Sequence, residues 1–134
     1  MTVAAAETAD GVYVVELESG EVIAHEAGGR VDAPSLDLGL PLTLSAARAG
    51  STVVAVVDRR PPLVVSHDAG ATWREAGGGL PRGRAVAVSL GNPDLVVYGA
   101  RNRLYVSRDG GRFWAALDTE LPEILALEVR DSLL

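Results

Sequence analysis

The chain has 134 residues, 48% of them apolar and 22% charged, with a net charge of −6. This describes one soluble globular domain, residues 1–134, with enough apolar content to build a core. All twelve basic residues are Arg, there is no cysteine and the balance is acidic. That argues against a nucleic-acid binder and excludes a disulfide framework, a thiolate nucleophile and a cysteine metal site. No segment approaches the ~20 apolar residues of a membrane span. The opening MTVAAAETAD lacks the basic start and apolar core of a signal peptide, so a cytoplasmic location and no membrane partner are expected.

Along the chain, short Val-rich runs alternate with turn chemistry, the pattern of β-strands. Three strands are predicted over 2–7, 11–17 and 21–27, followed by a polar loop over 28–37. Four more follow over 42–49, 52–58, 62–66 and 72–77, and another four over 84–90, 94–100, 103–107 and 113–117. A last strand is expected over 123–129. Most of these runs are apolar at nearly every position rather than alternating, which predicts sheets covered on both faces.

The runs repeat. Leu-Pro occurs at Leu40-Pro41, Leu80-Pro81 and Leu121-Pro122, and SHDAGATW (66–73) returns 41 positions later (107 − 66) as SRDGGRFW (107–114). Four-stranded antiparallel units of about forty residues, stacked radially, are the blades of a β-propeller, so the fold class is all-β. Blade 1 is expected from about 2–27 plus a C-terminal strand at 123–130, blade 2 from about 42–79 and blade 3 from about 82–120. The octapeptide resembles the Asp-box, Ser-x-Asp-x-Gly-x-Thr-Trp, of the sialidase-like (BNR-repeat) propellers. Ser66, Asp68, Gly70, Thr72 and Trp73 match throughout, and Ser107, Asp109, Gly111 and Trp114 match with Phe113 in place of Thr. A third, eroded copy is read at ELESGEVI, with Glu18, Gly20 and Ile23 standing for Asp, Gly and Trp.

The box has a structural explanation. Asp68 and Asp109 are suited to accept backbone N–H bonds inside a turn, Gly70 and Gly111 to supply positive φ, and Trp73 and Trp114 to bury a large ring beneath it. The resemblance implies that this hairpin joins third and fourth strands on the side of the ring away from the ligand face.

The strand count, 3 + 4 + 4 + 1, gives twelve strands or three blades, the first split between the two ends of the chain. Propellers have typically four to eight blades, and a lone chain of three is expected to expose apolar faces and strand edges. A homodimer closing a six-bladed ring is therefore expected, residues 124–129 of each chain completing the N-terminal blade of the other. A trimer or a different partner chain are the alternatives.

Function is expected at the opposite end, on the loops between second and third strands and between blades. These gather Arg59, Arg60, Arg82, Arg84, Arg101 and Arg103, whose guanidinium forks suit carboxylate or phosphate, set against Asp10, Asp58, Asp118, Glu120 and Glu123. The favoured reading is a non-catalytic binding or assembly module for a protein, a glycan or an anionic ligand, as the resemblance to propellers of the photosystem-assembly and sortilin kinds allows. The alternative is a sialidase-like glycoside hydrolase acting on an acidic sugar, which would need an arginine cluster, a Tyr nucleophile beside a Glu, and an acid/base Asp. Tyr98 is the candidate nucleophile by position, but no Glu is near it in sequence. His25 and His67 are isolated, so neither a metal nor a cofactor is expected.

Overall fold

The computed structural model describes residues 1–32, 38, 40 and 43–131. Its twelve strands are β1 (Val3–Thr8), β2 (Gly11–Glu16), β3 (Val22–Glu26), β4 (Thr43–Ala49), β5 (Thr52–Val57), β6 (Leu63–Ser66), β7 (Arg74–Ala76), β8 (Ala85–Val88), β9 (Val96–Ala100), β10 (Arg103–Ser107), β11 (Ala115–Glu120) and β12 (Ala126–Arg130). No helix among the described residues is long and apolar enough to cross a membrane. The strands form three four-stranded antiparallel sheets, ordered β12-β1-β2-β3, β4-β5-β6-β7 and β8-β9-β10-β11 and referred to below as sheets 1, 2 and 3. The grouping by fours is consistent with the expected blades.

Sheet 3 is the middle layer. Its apolar inner strands β8 and β9 still obey the strand period of two. Ala85, Ala87 and Val97 face sheet 1 and meet Ala4, Ala6, Val15 and Leu127. Val86, Val88, Val96 and Tyr98 face sheet 2 and meet Val54, Val56, Leu63 and Val65. Both faces are buried, as the continuous apolar runs require. The outer edge strands depart from this: every residue of β3 is exposed, including Val22 at 40% and Ile23 at 42%, and so are four of the six in β11.

The last strand closes the first sheet within one chain, β12 pairing with β1 from Val3↔Arg130 to Glu7↔Ala126. The C-terminal strand thus completes the N-terminal sheet, the pairing expected of the split first blade. On the side of sheet 1 turned away from sheet 3, Val3, Ala5, Val12 and Val14 are buried with Val31 packed on them. On the corresponding side of sheet 2, Ala55, Val57 and Val64 are buried against Leu38, Leu40 and Trp73. Residues of the connection between sheets 1 and 2 therefore cover the apolar faces that a second copy was expected to cover. Val31 N–H also donates to Glu7 Oε1 at 3.0 Å and Asp32 N–H to Glu128 Oε2 at 3.1 Å. The expected polar loop over 28–37 is described only for 28–32, and Pro41 lies outside the described residues.

Several strand boundaries move, among them 113–117 to Ala115–Glu120 and 84–90 to Ala85–Val88, and two of the shifts have a local cause. The strand expected over 72–77 shrinks to Arg74–Ala76, because the N–H of Thr72 is held by the Asp68 side chain and turns away from the ladder. The strand expected over 123–129 begins at Ala126: Ile124 N–H donates to the Arg101 carbonyl and Leu125 N–H to that of Glu7, so these residues bridge between sheets.

Candidate functional site

The two ends of the sheet assembly carry different chemistry. At one end lie the repeated turns, β6 to β7 and β10 to β11. Ser66 Oγ donates to Asp68 Oδ1 at 2.7 Å and accepts from Gly70 N–H at 2.8 Å. Asp68 then takes Thr72 N–H on Oδ1 at 2.8 Å and the Thr72 hydroxyl on Oδ2 at 2.5 Å. The second turn repeats the scheme: Ser107 Oγ donates to Asp109 Oδ1 at 2.8 Å and accepts from Gly111 N–H at 2.8 Å, while Phe113 N–H donates to Asp109 Oδ1 at 3.0 Å. Gly70 and Gly111 both have φ of 94°, which explains glycine at this place. The half-buried Trp114 donates Nε1–H to the Gly111 carbonyl at 3.0 Å.

These bonds favour the ionised carboxylates. Thr72, through its hydroxyl and its N–H, brings Asp68 down to about 2, and the Phe113 N–H with the Ser107 hydroxyl lowers Asp109 below the usual carboxylate range. Both Asp side chains are thus occupied in holding turns. The eroded third copy does not build this staple. Its turn closes through backbone bonds, Gly20 N–H to the Glu16 carbonyl and Glu16 N–H to that of Glu21, while Glu18 and Ile23 are exposed.

The opposite end is formed by the turn at Ala9-Asp10, the loops 58–62 and 101–102, and the connections 77–84 and 121–125. The six arginines do gather here, but they divide. Arg82 pairs with Asp58 at 3.6 Å, Arg84 with Glu123 at 3.9 Å and Arg103 with Glu120 at 3.2 Å. Arg59, Arg60 and Arg101 are exposed, and among the described residues none of them has a carboxylate partner within ion-pair distance. Exposed ion pairs are worth about 0–1 kcal/mol, so the three paired arginines are only loosely engaged. Arg101 stands at φ 58°, a turn conformation that is held because its carbonyl accepts the Ile124 N–H.

Tyr98 is corrected from candidate nucleophile to core residue. It is 0% exposed, its hydroxyl donates to the Pro81 carbonyl at 2.8 Å, and its ring lies against Tyr105 and Trp114. Burial pushes its hydroxyl up to about 12, opposite to what a nucleophile needs. Tyr13 stacks on His25, which bonds the Asp10 carbonyl through Nε2, and His67 Nδ1 lies 3.3 Å from Thr52 Oγ1. Among the described residues no three His, Asp or Glu side chains are grouped to hold a metal ion.

At the end carrying the repeated turns, sheets 1 and 3 enclose a groove of about 480 Å³ lined by Leu17, Glu18, Asp109, Phe113, Trp114 and Leu117. Its two walls are about ninety residues apart in the chain. The sole local signal was Phe113 at the place where the first copy has Thr72.

No family model matches the chain, and no curated protein matches it. Among solved structures, the crystal structure of a GH74 enzyme from Niastella koreensis is similar over 93% of this chain and 19% of that chain, at 24% sequence identity and a TM-score of 0.48.

Proposed function

We propose that this chain is a non-catalytic binding module of Asp-box propeller type, whose loop end receives an anionic group of a protein or glycan ligand. The observation that supports this reading is the division of the rim arginines. Arg59 and Arg60 on one loop and Arg101 on another keep exposed guanidinium groups without carboxylate partners among the described residues, while Arg82, Arg84 and Arg103 are set in exposed pairs around them. Guanidinium forks suit bidentate recognition of carboxylate, sulfate or phosphate. The glycosidase alternative loses its nucleophile, because Tyr98 is buried and bonded to Pro81.

The test is calorimetric titration with sialyllactose and with a sulfated oligosaccharide, each beside its neutral parent sugar. Preference for the charged form, falling about tenfold or more in Arg59→Ala/Arg60→Ala/Arg101→Ala, is the expected result. Equal affinity for neutral and charged forms, or no effect of the triple variant, refutes an arginine-based site. Turnover of the sialoside refutes the non-catalytic reading.

A further inference from the structure

The two repeated turns differ at one working position. In the first, the Thr72 hydroxyl fills Asp68 Oδ2. In the second, Asp109 Oδ1 accepts from Ser107 Oγ, Arg112 N–H and Phe113 N–H, and no donor among the described residues reaches Oδ2. The ring that replaces the hydroxyl is 79% exposed, the highest exposure among the large apolar side chains described. It does not stand alone, because it continues into the groove between sheets 1 and 3, where Leu17 is buried and Trp114 and Leu117 are half-buried. Contiguous apolar surface of this kind, rimmed by polar groups, marks interaction sites, and about 480 Å³ falls within the range of ligand clefts.

The rim is charged. Glu18 stands on the sheet 1 side and Asp109 on the sheet 3 side, with one oxygen available. Arg108 also lines the groove, its Nη2 3.5 Å from the Leu17 carbonyl, and both Arg108 and Arg112 are exposed, so a seat for a cation is confined to the Asp109 Oδ2 side of the rim. The geometry points to a docking groove for a basic side chain of a partner polypeptide. Its N–H fills Asp109 Oδ2, the place that the Thr72 hydroxyl takes in the first turn, and its methylene stem and charge lie on the Phe113 ring. An exposed aromatic face beside an ionised carboxylate suits a Lys or Arg side chain, which offers a donor, a cation and an apolar stem at once. The net charge of −6 favours the approach of such a partner. This groove is at the opposite end from the rim arginines, so it does not depend on the anion-binding reading.

The chain has two tryptophans, so in a Trp73→Phe background the fluorescence of Trp114 reports on the groove alone. Titration with an acetylated, amidated tetralysine peptide should give a saturable change that weakens as salt is raised. Phe113→Thr installs the residue of the first turn, so it should keep the fold by circular dichroism while weakening the peptide about five- to tenfold. Glu18→Gln should weaken it about two- to threefold. Calorimetry on the chain with both tryptophans gives the same comparison without the Trp73→Phe change. The proposal is overturned if tetralysine gives no saturable signal by either method, if tetraglutamate binds as well, or if Phe113→Thr binds as tightly as the parent. A response to neutral maltotetraose in place of tetralysine would likewise overturn it and reassign the groove to carbohydrate.

Discussion

Gly99→Ala tests the packing of the last segment onto the middle sheet. Gly99 lies in β9 with its open side toward sheet 1, and a Cβ there would stand 2.8 Å from Ile124 Cγ2 and 3.2 Å from Leu127 Cδ1. Ile124 is fully buried and its N–H is tied to the Arg101 carbonyl, so its backbone is held in place and its methyl can yield only by a side-chain rotation within the packed core. Overpacking of this kind costs about 1–3 kcal/mol, from which about 0.5–1 kcal/mol is recovered because Ala is less costly than Gly inside a strand. The net expectation is a loss of about 0–2.5 kcal/mol, a fall in Tm of up to roughly 10 °C for a domain of this size. Ile124→Ala alone should cost about 2–5 kcal/mol, and the double variant should be about 1 kcal/mol or more better than the sum, because the new methyl enters the space that Ile124 leaves. The assay is urea unfolding followed by tryptophan fluorescence. Strict additivity with Ile124→Ala would refute the placement of Ile124 on Gly99.

Three further outcomes follow from the turns, the core and the covered faces. Asp68 is held at about 2 against an ordinary value of 3.8, so its contribution to stability is present above about 3.8 and is lost as pH falls toward about 2, with Asp109 acting in the same direction. Tm measured from pH 5 to pH 2 should therefore fall less steeply in Asp68→Asn than in the parent, and parallel curves would remove the staple as the cause. Tyr98→Phe should cost about 0.5–1.5 kcal/mol through the lost bond to the Pro81 carbonyl and leave ligand binding at the arginine rim unchanged; altered binding with full stability would return Tyr98 to the site. Light scattering should give the 13.9 kDa of a single chain, because the sides of sheets 1 and 2 turned away from sheet 3 are already buried, whereas twice that mass would restore the paired ring.

Much of the fold was legible in the residues. Strand positions came from Val-rich runs such as 52–57 and 96–100, bounded by Gly, Pro and Asp, because a short apolar run between turn residues has few other stable outcomes. The turn roles of Ser66, Asp68 and Gly70 were legible for the same reason: a side chain that bonds its own backbone two to four residues away carries its structure in its spacing. The gathering of six arginines at one end followed from strand count alone, since up-and-down strands send alternate loops to the same side. Their division did not, because Arg82 meets Asp58 and Arg84 meets Glu123 only once two sheets are in register. Burial of Tyr98 is not legible for a related reason, since its place near the end of a strand says nothing about the Pro81 carbonyl in the connection that precedes β8.

By itself the sequence determined twelve strands, their grouping by fours, the split first sheet and the form of the repeated turns, all set by chemistry within a few residues or by a period. Only the tertiary structure decided that Ile124 and Leu125 bridge between sheets ahead of the last strand, that Val31, Leu38 and Leu40 cover the outer apolar faces, and that Leu17 and Phe113 share a groove. Those outcomes depend on which surfaces meet, and burial between segments far apart in the chain leaves no local mark on either partner.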